Sequence, residues 1–413
     1  MLTPRLTAPV PATSEAPALA TQAPVAEAAP RSYDVLLIAT VLGLLCVGTI
    51  EIYASTAATS ARSFGDGFYF LKRQLMWLGL GAAALYGGAR FDYRNLRRLT
   101  YPMLVVALLL LVAVLFMPAR NGAKRWLLMG PVSVQPVELA KLALISYLAY
   151  SLGKKADRVK TFTVGFVPHV VVCAVMMVLL LKQPDLGSSV VLGVTTFGML
   201  FVAGTRMSYI LLAMLAAAPI AYNMVVGTPW RMQRFLAYFN PEAFAKGEAY
   251  QFLQARLAMG SGGLTGRGLG ESHQALGYMP EAHNDFILAP IGEELGWLGV
   301  GLVLALFAIL VWRGVRAALG ARDVYGGYLA FGITLMFGMQ ALFNAGVILG
   351  LVPNKGITLP LVSYGGSSLI VTMFLIGIIL NVGHRPERRS APREPGGARF
   401  ATRRRQRVRV VVA

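Results

Sequence analysis

Long apolar runs, separated by short polar or charged segments, follow one another from residue 35 to residue 382. A helix needs roughly 17–25 mainly apolar residues to cross a bilayer, and turn residues or charges mark where one such helix ends. The pattern predicts ten spans, and an even number places both chain ends on one side of the membrane. The predicted spans are Val35–Tyr53, Leu75–Ala89, Tyr101–Met117, Val137–Leu152, Phe162–Leu181, Gly187–Gly204, Ser208–Val226, Phe286–Trp312, Tyr325–Leu349 and Ser363–Val382.

Composition agrees with this pattern. The 413 residues are 56% hydrophobic and 14% charged, with a mean hydropathy of +0.60. These values exclude a set of soluble domains and predict an all-α polytopic membrane protein. Residues 1–32 are rich in Ala and Pro, show no cleaved signal peptide and are predicted to be a disordered cytoplasmic tail. Residues 33–383 form the predicted ten-span domain, with a large extracytoplasmic loop at 227–283 between spans 7 and 8, and residues 384–413 form an Arg-rich cytoplasmic tail.

The net charge of +19 is distributed along the loops and the C-terminal tail, which argues against nucleic acid as the partner. Alternate loops carry most of the Lys and Arg, so the positive-inside rule makes that side cytoplasmic. The opposite loops are also basic, which favours an anionic ligand on the outer face; the alternative is that these side chains reach interfacial lipid headgroups. These outer-side residues are Lys124, Arg125, Lys182, Arg231, Arg234, Lys246, Arg256, Arg267 and Lys355.

The stretch Pro280–Gly296 concentrates acidic residues around the start of the eighth predicted span. A carboxylate at membrane depth costs roughly 2.5 kcal/mol or more, so acids kept there indicate a function. Two structural alternatives stay open. Asp285 could cap a helix together with Asn284, and Glu293 and Glu294 could be a buried pair that bonds a neighbouring helix.

Three further outer stretches are polar. In Gln135–Lys141, Glu138 and Lys141 are spaced to pair with each other, and in Lys182–Gly187, Asp185 could cap the next helix. In Val352–Ser368, Pro353, Gly356 and Pro360 predict a broken segment, which is tolerated at membrane depth only where it lines protein or a water-filled cavity.

The long outer loop contains aromatic residues followed by a Gly-rich run, Ser261–Gly270. Because this run neither follows a strand nor opens a βαβ unit, a nucleotide fold is excluded. We predict a flexible flap over a cavity, with Arg256 and Arg267 available to phosphate oxygens.

A carboxylate beside cations and an apolar wall suits general-base chemistry on a sugar hydroxyl, and the cations suit a diphosphate leaving group. Composition alone supports a transporter equally well.

Seven motifs, in order, resemble the SEDS family (shape, elongation, division and sporulation) over about Tyr33–Gly383. They are Gly122–Trp126, Gln135–Lys141, Gln183–Gly187, Gly262–Gly270, Ala282–Phe286, Gly292–Gly296 and Pro360–Ser368. Asn284 and Val137 depart from the usual family residues. The resemblance implies a ten-span peptidoglycan glycosyltransferase that polymerises lipid II with inversion and releases undecaprenyl diphosphate.

The family's essential acid falls on Asp285, which the resemblance makes the base or electrostatic activator for the acceptor hydroxyl. The metal requirement is unknown, and Mg²⁺ or Mn²⁺ at the diphosphate is compatible with a single carboxylate. Glu138, Lys141, Glu293 and Glu294 are assigned as supporting polar residues. The substrate-binding candidates are Lys124, Arg125, Trp126, Gln183, Asp185, Arg231, His283, Lys355, Ser363, Ser367 and Ser368.

The pattern Lys355–Pro360 resembles the FtsW/SpoVE branch more than the RodA-type elongation branch. This implies septal cell-wall synthesis in the bacterial inner membrane, with a class B penicillin-binding protein transpeptidase and other divisome membrane proteins as partners. A lipid II flippase is the main rival hypothesis, and a scaffold that only docks division proteins is the second. The flippase is disfavoured because the polar groups gather at the outer ends of the spans, and the scaffold because it has no need for acids and cations collected in one cavity.

Overall fold

The structure is a computed structural model that describes residues 31–119, 122–129, 132–272, 284–353 and 356–386. Its long elements within these ranges are all helices. The α-helices are α1 (Val35–Phe64), α2 (Tyr69–Arg90), α3 (Arg94–Ala113), α4 (Pro136–Lys154), α5 (Val167–Lys182), α6 (Leu186–Val202), α7 (Met207–Val226), α8 (Pro229–Phe239), α9 (Tyr250–Gly262), α10 (Leu288–Glu294), α11 (Gly296–Leu319), α12 (Val324–Ile348) and α13 (Gly366–Gly383).

Short strands accompany the helices. Between α3 and α4, β2 (Leu127–Met129) and β3 (Val132–Val134) form an antiparallel hairpin, which the all-α prediction does not contain. Near the chain ends, β1 (Arg31–Ser32) pairs antiparallel with β4 (Arg385–Pro386) in a separate small unit. The helices belong to one compact unit, Tyr33–His384.

Seven helical segments in the described residues are long and apolar enough to cross a membrane, which confirms a multi-pass membrane protein. The segments are Val35–Phe64, Arg94–Phe116, Phe162–Lys182, Met207–Val226, Gly296–Leu319, Val324–Ile348 and Gly366–Gly383. The other three predicted spans coincide with α2, α4 and α6, of which α6 is apolar but shorter. The predicted eighth span, Phe286–Trp312, is divided into α10 and α11 at Gly296, whose φ of 66° ends one helix and redirects the chain.

Small residues let the helix backbones approach closely. On α2 and α13, Gly88 faces Gly377, and a Cβ on Gly377 would lie only 2.9 Å from the Gly88 Cα. On α1, a Cβ on Gly48 would lie 2.6 Å from the Val362 carbonyl oxygen. Lipid tails are as apolar as the helix surfaces, so the hydrophobic effect does not drive transmembrane helices together. Close van der Waals packing at small residues stabilises their association instead.

Charged side chains join the helix ends at the end of the bundle where α1 begins. Asp34 accepts the Leu37 N–H at 3.1 Å, capping α1, and pairs with Arg313 of α11, whose Nε donates at 2.6 Å. Tyr93 donates to Asp323 at 2.7 Å, and Asp323 also caps α12. Burial, followed by this hydrogen bond, raises the pKa of Tyr93 to about 12. The candidate site lies at the opposite end.

Candidate active site

Asp285 lies in a turn, residues 284–287, that leads into α10, and its side chain is half-buried. The carboxylate rests against the backbone of the broken segment 356–365, which joins α12 to α13. A Cβ on Gly356 would lie 2.5 Å from Oδ2 and 3.3 Å from Cγ of Asp285. Glycine is therefore required at this point by the close approach of the carboxylate.

Two side chains hold the turn and the segment together. Ser363 donates to the Asn284 carbonyl at 2.6 Å and accepts the Leu359 N–H at 2.9 Å. The Asn344 amide, from α12, donates at 2.8 Å to the carbonyls of both Asp285 and Ile357. The sequence analysis missed Asn344. Its signal was an amide inside an otherwise apolar span, where a polar residue needs a partner.

The first turn of α6 packs against the same segment. A Cβ on Gly187 would lie 2.8 Å from Cγ1 of Ile357 and 3.1 Å from the Gly356 oxygen. Asp185 is buried and caps α6, accepting the Ser188 N–H at 3.1 Å and its hydroxyl at 2.8 Å. Its carboxylate oxygens are thus engaged in the cap that positions α6.

The predicted cations Arg125 and Arg231 contact backbone carbonyls at the C-terminal ends of α5 and α7. Arg125 donates through Nε to the Gln183 carbonyl at 3.5 Å and through Nη2 to that of Pro184. Arg231 donates to the carbonyls of Met224 at 3.3 Å and Leu181 at 3.4 Å. Guanidinium groups at these positions also complement the negative helix ends.

Three other predicted binding residues lie beside Arg125 in the sequence or in its contacts. Lys124 is exposed and donates to the Leu115 carbonyl at 3.0 Å. Trp126 is half-buried. Gln183 is buried and donates to the Leu111 carbonyl at 2.8 Å, fixing the turn between α5 and α6 to the end of α3.

The start of α4 contacts the start of α13. Glu138 and Lys141 form a buried ion pair of 2.8 Å, the pairing that their spacing predicts. Ser367 accepts the Gln135 N–H at 3.3 Å, and the half-buried Ser368 lines a small cavity beside segment 358–365.

The Gly-rich run packs as a wedge between the end of α10 and the start of α11. The prediction of a flexible flap is therefore wrong for residues 262–268. Its N–H groups donate to the end of α10, from Arg267 to Glu293 and from Gly268 to Glu294, both at 3.0 Å. Its carbonyls accept from the first turn of α11, with Trp297 donating to Gly263 at 3.0 Å. The run therefore satisfies the helix ends on both sides of Gly296.

Glu293 joins the wedge to α10. It accepts the Ser272 hydroxyl at 2.7 Å and lies 3.5 Å from Arg267. Glu294 is also buried. Glu51 of α1, which the sequence analysis missed, is 1% exposed and interacts electrostatically with Glu294. Among the residues that the structure describes, neither Glu51 oxygen has a hydrogen-bond partner.

An aromatic wall borders the broken segment. Phe70 packs edge-on against Tyr364 with ring centroids 5.3 Å apart, and Tyr69 packs against Phe70 at 5.4 Å. Arg73 donates to the Tyr69 hydroxyl at 2.8 Å. This wall gives the site an apolar side with a cation at its edge.

His283 and Lys355 lie outside the described residues, so their predicted contacts stay predictions. Within the described ranges, no three His, Cys, Asp or Glu side chains form a group that could hold a metal ion. The site therefore offers Asp285 as a half-buried carboxylate against Gly356, with the Asn344 amide bound to its main-chain carbonyl.

Comparison with known proteins places this chain in a defined class. The family model of FtsW, RodA and SpoVE, described as cell cycle protein, matches residues 34–388, and the chain belongs to this family. A probable peptidoglycan glycosyltransferase FtsW of Geobacter metallireducens is 47% identical over 357 residues, covering 86% of this chain and 95% of the relative. The stage V sporulation protein E of Bacillus subtilis is 40% identical, covering 85% and 97%.

Solved structures agree in fold. One from a peptidoglycan synthase complex that coordinates polymerization and crosslinking superposes with a TM-score of 0.72 at 30% identity, covering 85% of this chain and 98% of that one. The rod-shape-determining protein RodA of Thermus thermophilus gives 0.64 at 30% identity, covering 85% and 97%. The resemblance to the SEDS family is thereby confirmed.

Proposed function

We propose that this protein is a peptidoglycan glycosyltransferase that polymerises lipid II into glycan strands for septal cell-wall synthesis. The observation that carries the proposal is the placement of Asp285 against Gly356. Ser363 of motif 360–368 binds the turn that bears Asp285, and Gly187 of motif 183–187 packs against Gly356. Motif 135–141 contacts motif 360–368 through Gln135 and Ser367. The septal role is supported by the relatives named FtsW and SpoVE at 40–47% identity, compared with 30% for the RodA structure.

In the proposed reaction, the hydroxyl oxygen of the acceptor sugar attacks the anomeric carbon of the donor, and Asp285 takes the proton from that hydroxyl. The bond from that carbon to the diphosphate breaks with inversion, and undecaprenyl diphosphate leaves as an anion. Because the diphosphate needs no proton to leave, one carboxylate together with cations is sufficient. Lys124, which is exposed, forms the proposed anion site together with Arg125, Arg231 and Lys355.

We include a divalent cation, Mg²⁺ or Mn²⁺, in the proposal. Mg²⁺ commonly binds one or two carboxylates together with substrate phosphates and several waters, so Asp285 alone can supply the protein ligand. Such an ion would supply charge neutralisation at the diphosphate.

The proposed topology has ten spans, with both termini cytoplasmic and with the Asp285 end of the bundle facing outward. Residues 1–32 and 384–413 are the cytoplasmic tails, and residues 227–283 form the large outer loop. The basic loops on the Asp34 side support this orientation. The proposed partners are a class B penicillin-binding protein transpeptidase and other septal membrane proteins. The likeness to the peptidoglycan synthase complex supports the first of these.

The test is polymerisation of purified lipid II by this protein with its transpeptidase partner, whose crosslinking is blocked by a β-lactam. Wild type and Asp285→Asn are compared with Asp66→Asn, a matched change at an exposed acid that pairs with Lys72. Glycan ladders from wild type and Asp66→Asn, and none from a folded Asp285→Asn, are expected. Ladders of equal intensity from all three would remove Asp285 as the base. Transport of lipid II in sealed vesicles without any ladder would favour a flippase.

A further inference from the structure

The side-chain amide of Asn344 joins the two backbone segments that enclose Asp285. Its Nδ2 donates at 2.8 Å to the Asp285 carbonyl and at 2.8 Å to the Ile357 carbonyl. A primary amide carries two N–H donors, so both are used. One side chain thus bridges the two segments through the carbonyl of Asp285 and the carbonyl of Ile357, the residue that follows Gly356.

A second side chain, that of Ser363, ties the turn that bears Asp285 to segment 356–365. Ser363 holds the preceding carbonyl, that of Asn284, at 2.6 Å. Two consecutive carbonyls of the turn are therefore tied to segment 356–365 from different elements. With the main chain held on both sides, the direction in which the Asp285 carboxylate leaves the backbone is fixed against Gly356.

The Oδ1 atom of Asn344 indicates that the role of this residue depends on its two N–H donors. The side chain is 2% exposed, and its Oδ1 has no hydrogen-bond partner among the residues that the structure describes. A buried acceptor without a partner destabilises a fold, and an apolar residue at a purely structural position would avoid that cost.

We propose that Asn344 is a positioning residue for Asp285, which it orients through the backbone without touching substrate. The inference rests on the proposed glycosyltransferase function for its kinetic consequence. The bridge itself is tested independently of activity.

The first measurement is hydrogen exchange by mass spectrometry on the full-length protein in detergent. Asn344→Asp replaces the donating nitrogen with an oxygen that faces the two carbonyls. Asn344→Leu removes both N–H donors. Both variants should speed exchange several-fold in peptides covering 284–291 and in those covering 356–363. The control is Thr334→Val on the same helix, because the Thr334 hydroxyl donates to the Ala330 carbonyl of its own helix at 2.7 Å. It should leave both peptides unchanged. Unchanged exchange in either peptide of both Asn344 variants would overturn the bridge.

The second measurement is the kinetics of lipid II polymerisation by the same preparations, with the partner present. Misplacing a reacting group by about 1 Å can cost roughly 100-fold, so kcat should fall by roughly 10- to 100-fold while KM changes little. The acid limb of the kcat–pH profile should also move, because the surroundings of Asp285 change. A fall in kcat that only matches a lower folded fraction, with the limb unmoved, would overturn the positioning role. Faster exchange in both variants, together with no polymerisation by wild type, would overturn the proposed function and support the bridge.

Discussion

The carboxylate of Asp285 lies in the space that a side chain on Gly356 would need, although the two residues are far apart in the sequence. A methyl group on Gly356 would lie 2.5 Å from the carboxylate oxygen Oδ2, well inside van der Waals contact. The two residues therefore act as a unit, in which the glycine provides the space that the acid occupies.

Gly356→Ala should abolish most polymerisation and leave the protein folded. The methyl group displaces the Asp285 carboxylate, and a displacement of about 1 Å can cost roughly 100-fold in rate. Initial rates of glycan formation and the thermal midpoint, measured on the same detergent preparation, check this outcome. The matched control is Gly79→Ala on α2, where a Cβ meets nothing within 4 Å. Activity of Gly356→Ala within twofold of Gly79→Ala would contradict the expected contact.

Gly266→Ala should destabilise the protein. Gly266 has a φ of 82°, and a Cβ there would run into the Glu294 carbonyl at the end of α10. Left-handed strain and the clash together should lower the free energy of unfolding by roughly 2 kcal/mol or more.

The control for this prediction lies six residues earlier. Gly260 is inside α9, and a Cβ on it meets nothing within 4 Å. Gly260→Ala should therefore be neutral or stabilising by up to about 1 kcal/mol, since Ala is the better helix former. Thermal unfolding in detergent compares the two. Equal midpoints for both variants would mean that the run is a flap after all.

The sequence pattern predicted the helical membrane fold well because hydrophobic periodicity and length are local properties. It also identified the motifs that meet at Asp285, since polar residues are costly in apolar surroundings. It could not show that Gly262–Gly270 is a wedge, because that depends on carbonyls of α10, more than twenty positions away. Asn344 was missed for the same reason. Its partners, Asp285 and Ile357, come from two separate segments, and only the folded chain brings them together.

Tyr93→Phe should destabilise the end of the bundle opposite Asp285. The variant loses the hydrogen bond to the Asp323 carboxylate, so the free energy of unfolding should fall by about 1–2 kcal/mol at pH 8. Tyr86→Phe is the control, because Tyr86 is 61% exposed.

The pH dependence of this contribution has a defined sign. The pKa of Tyr93 is raised to about 12 in the folded protein, from an unfolded value of about 10. Its stabilising contribution is therefore complete below pH 10 and is lost as the pH rises through 12. Over that interval, the difference in thermal midpoint between wild type and Tyr93→Phe should shrink. A difference that is absent at pH 8, or constant up to pH 12, would contradict this assignment.

The same substitution at two buried glutamates should have opposite effects. Glu51 has no hydrogen-bond partner among the described residues, so Glu51→Met removes an unsatisfied buried group and should stabilise the fold by about 1–3 kcal/mol. Glu138 pairs with Lys141 at 2.8 Å. Glu138→Met leaves that buried ammonium without its counter-charge and should destabilise the fold by about 3–5 kcal/mol.

Thermal unfolding of both variants in the same detergent measures this difference, because each substitution exchanges a buried acid for an unbranched apolar side chain of similar length. The midpoint of Glu51→Met should rise above that of wild type, and the midpoint of Glu138→Met should fall below it. Polymerisation rates measured on the same preparations show whether Glu51 is needed for activity. A stabilised variant that has lost activity would show that the protein retains this buried acid for catalysis at the expense of stability. A fall in both midpoints would show that Glu51 has a stabilising partner and would contradict the prediction.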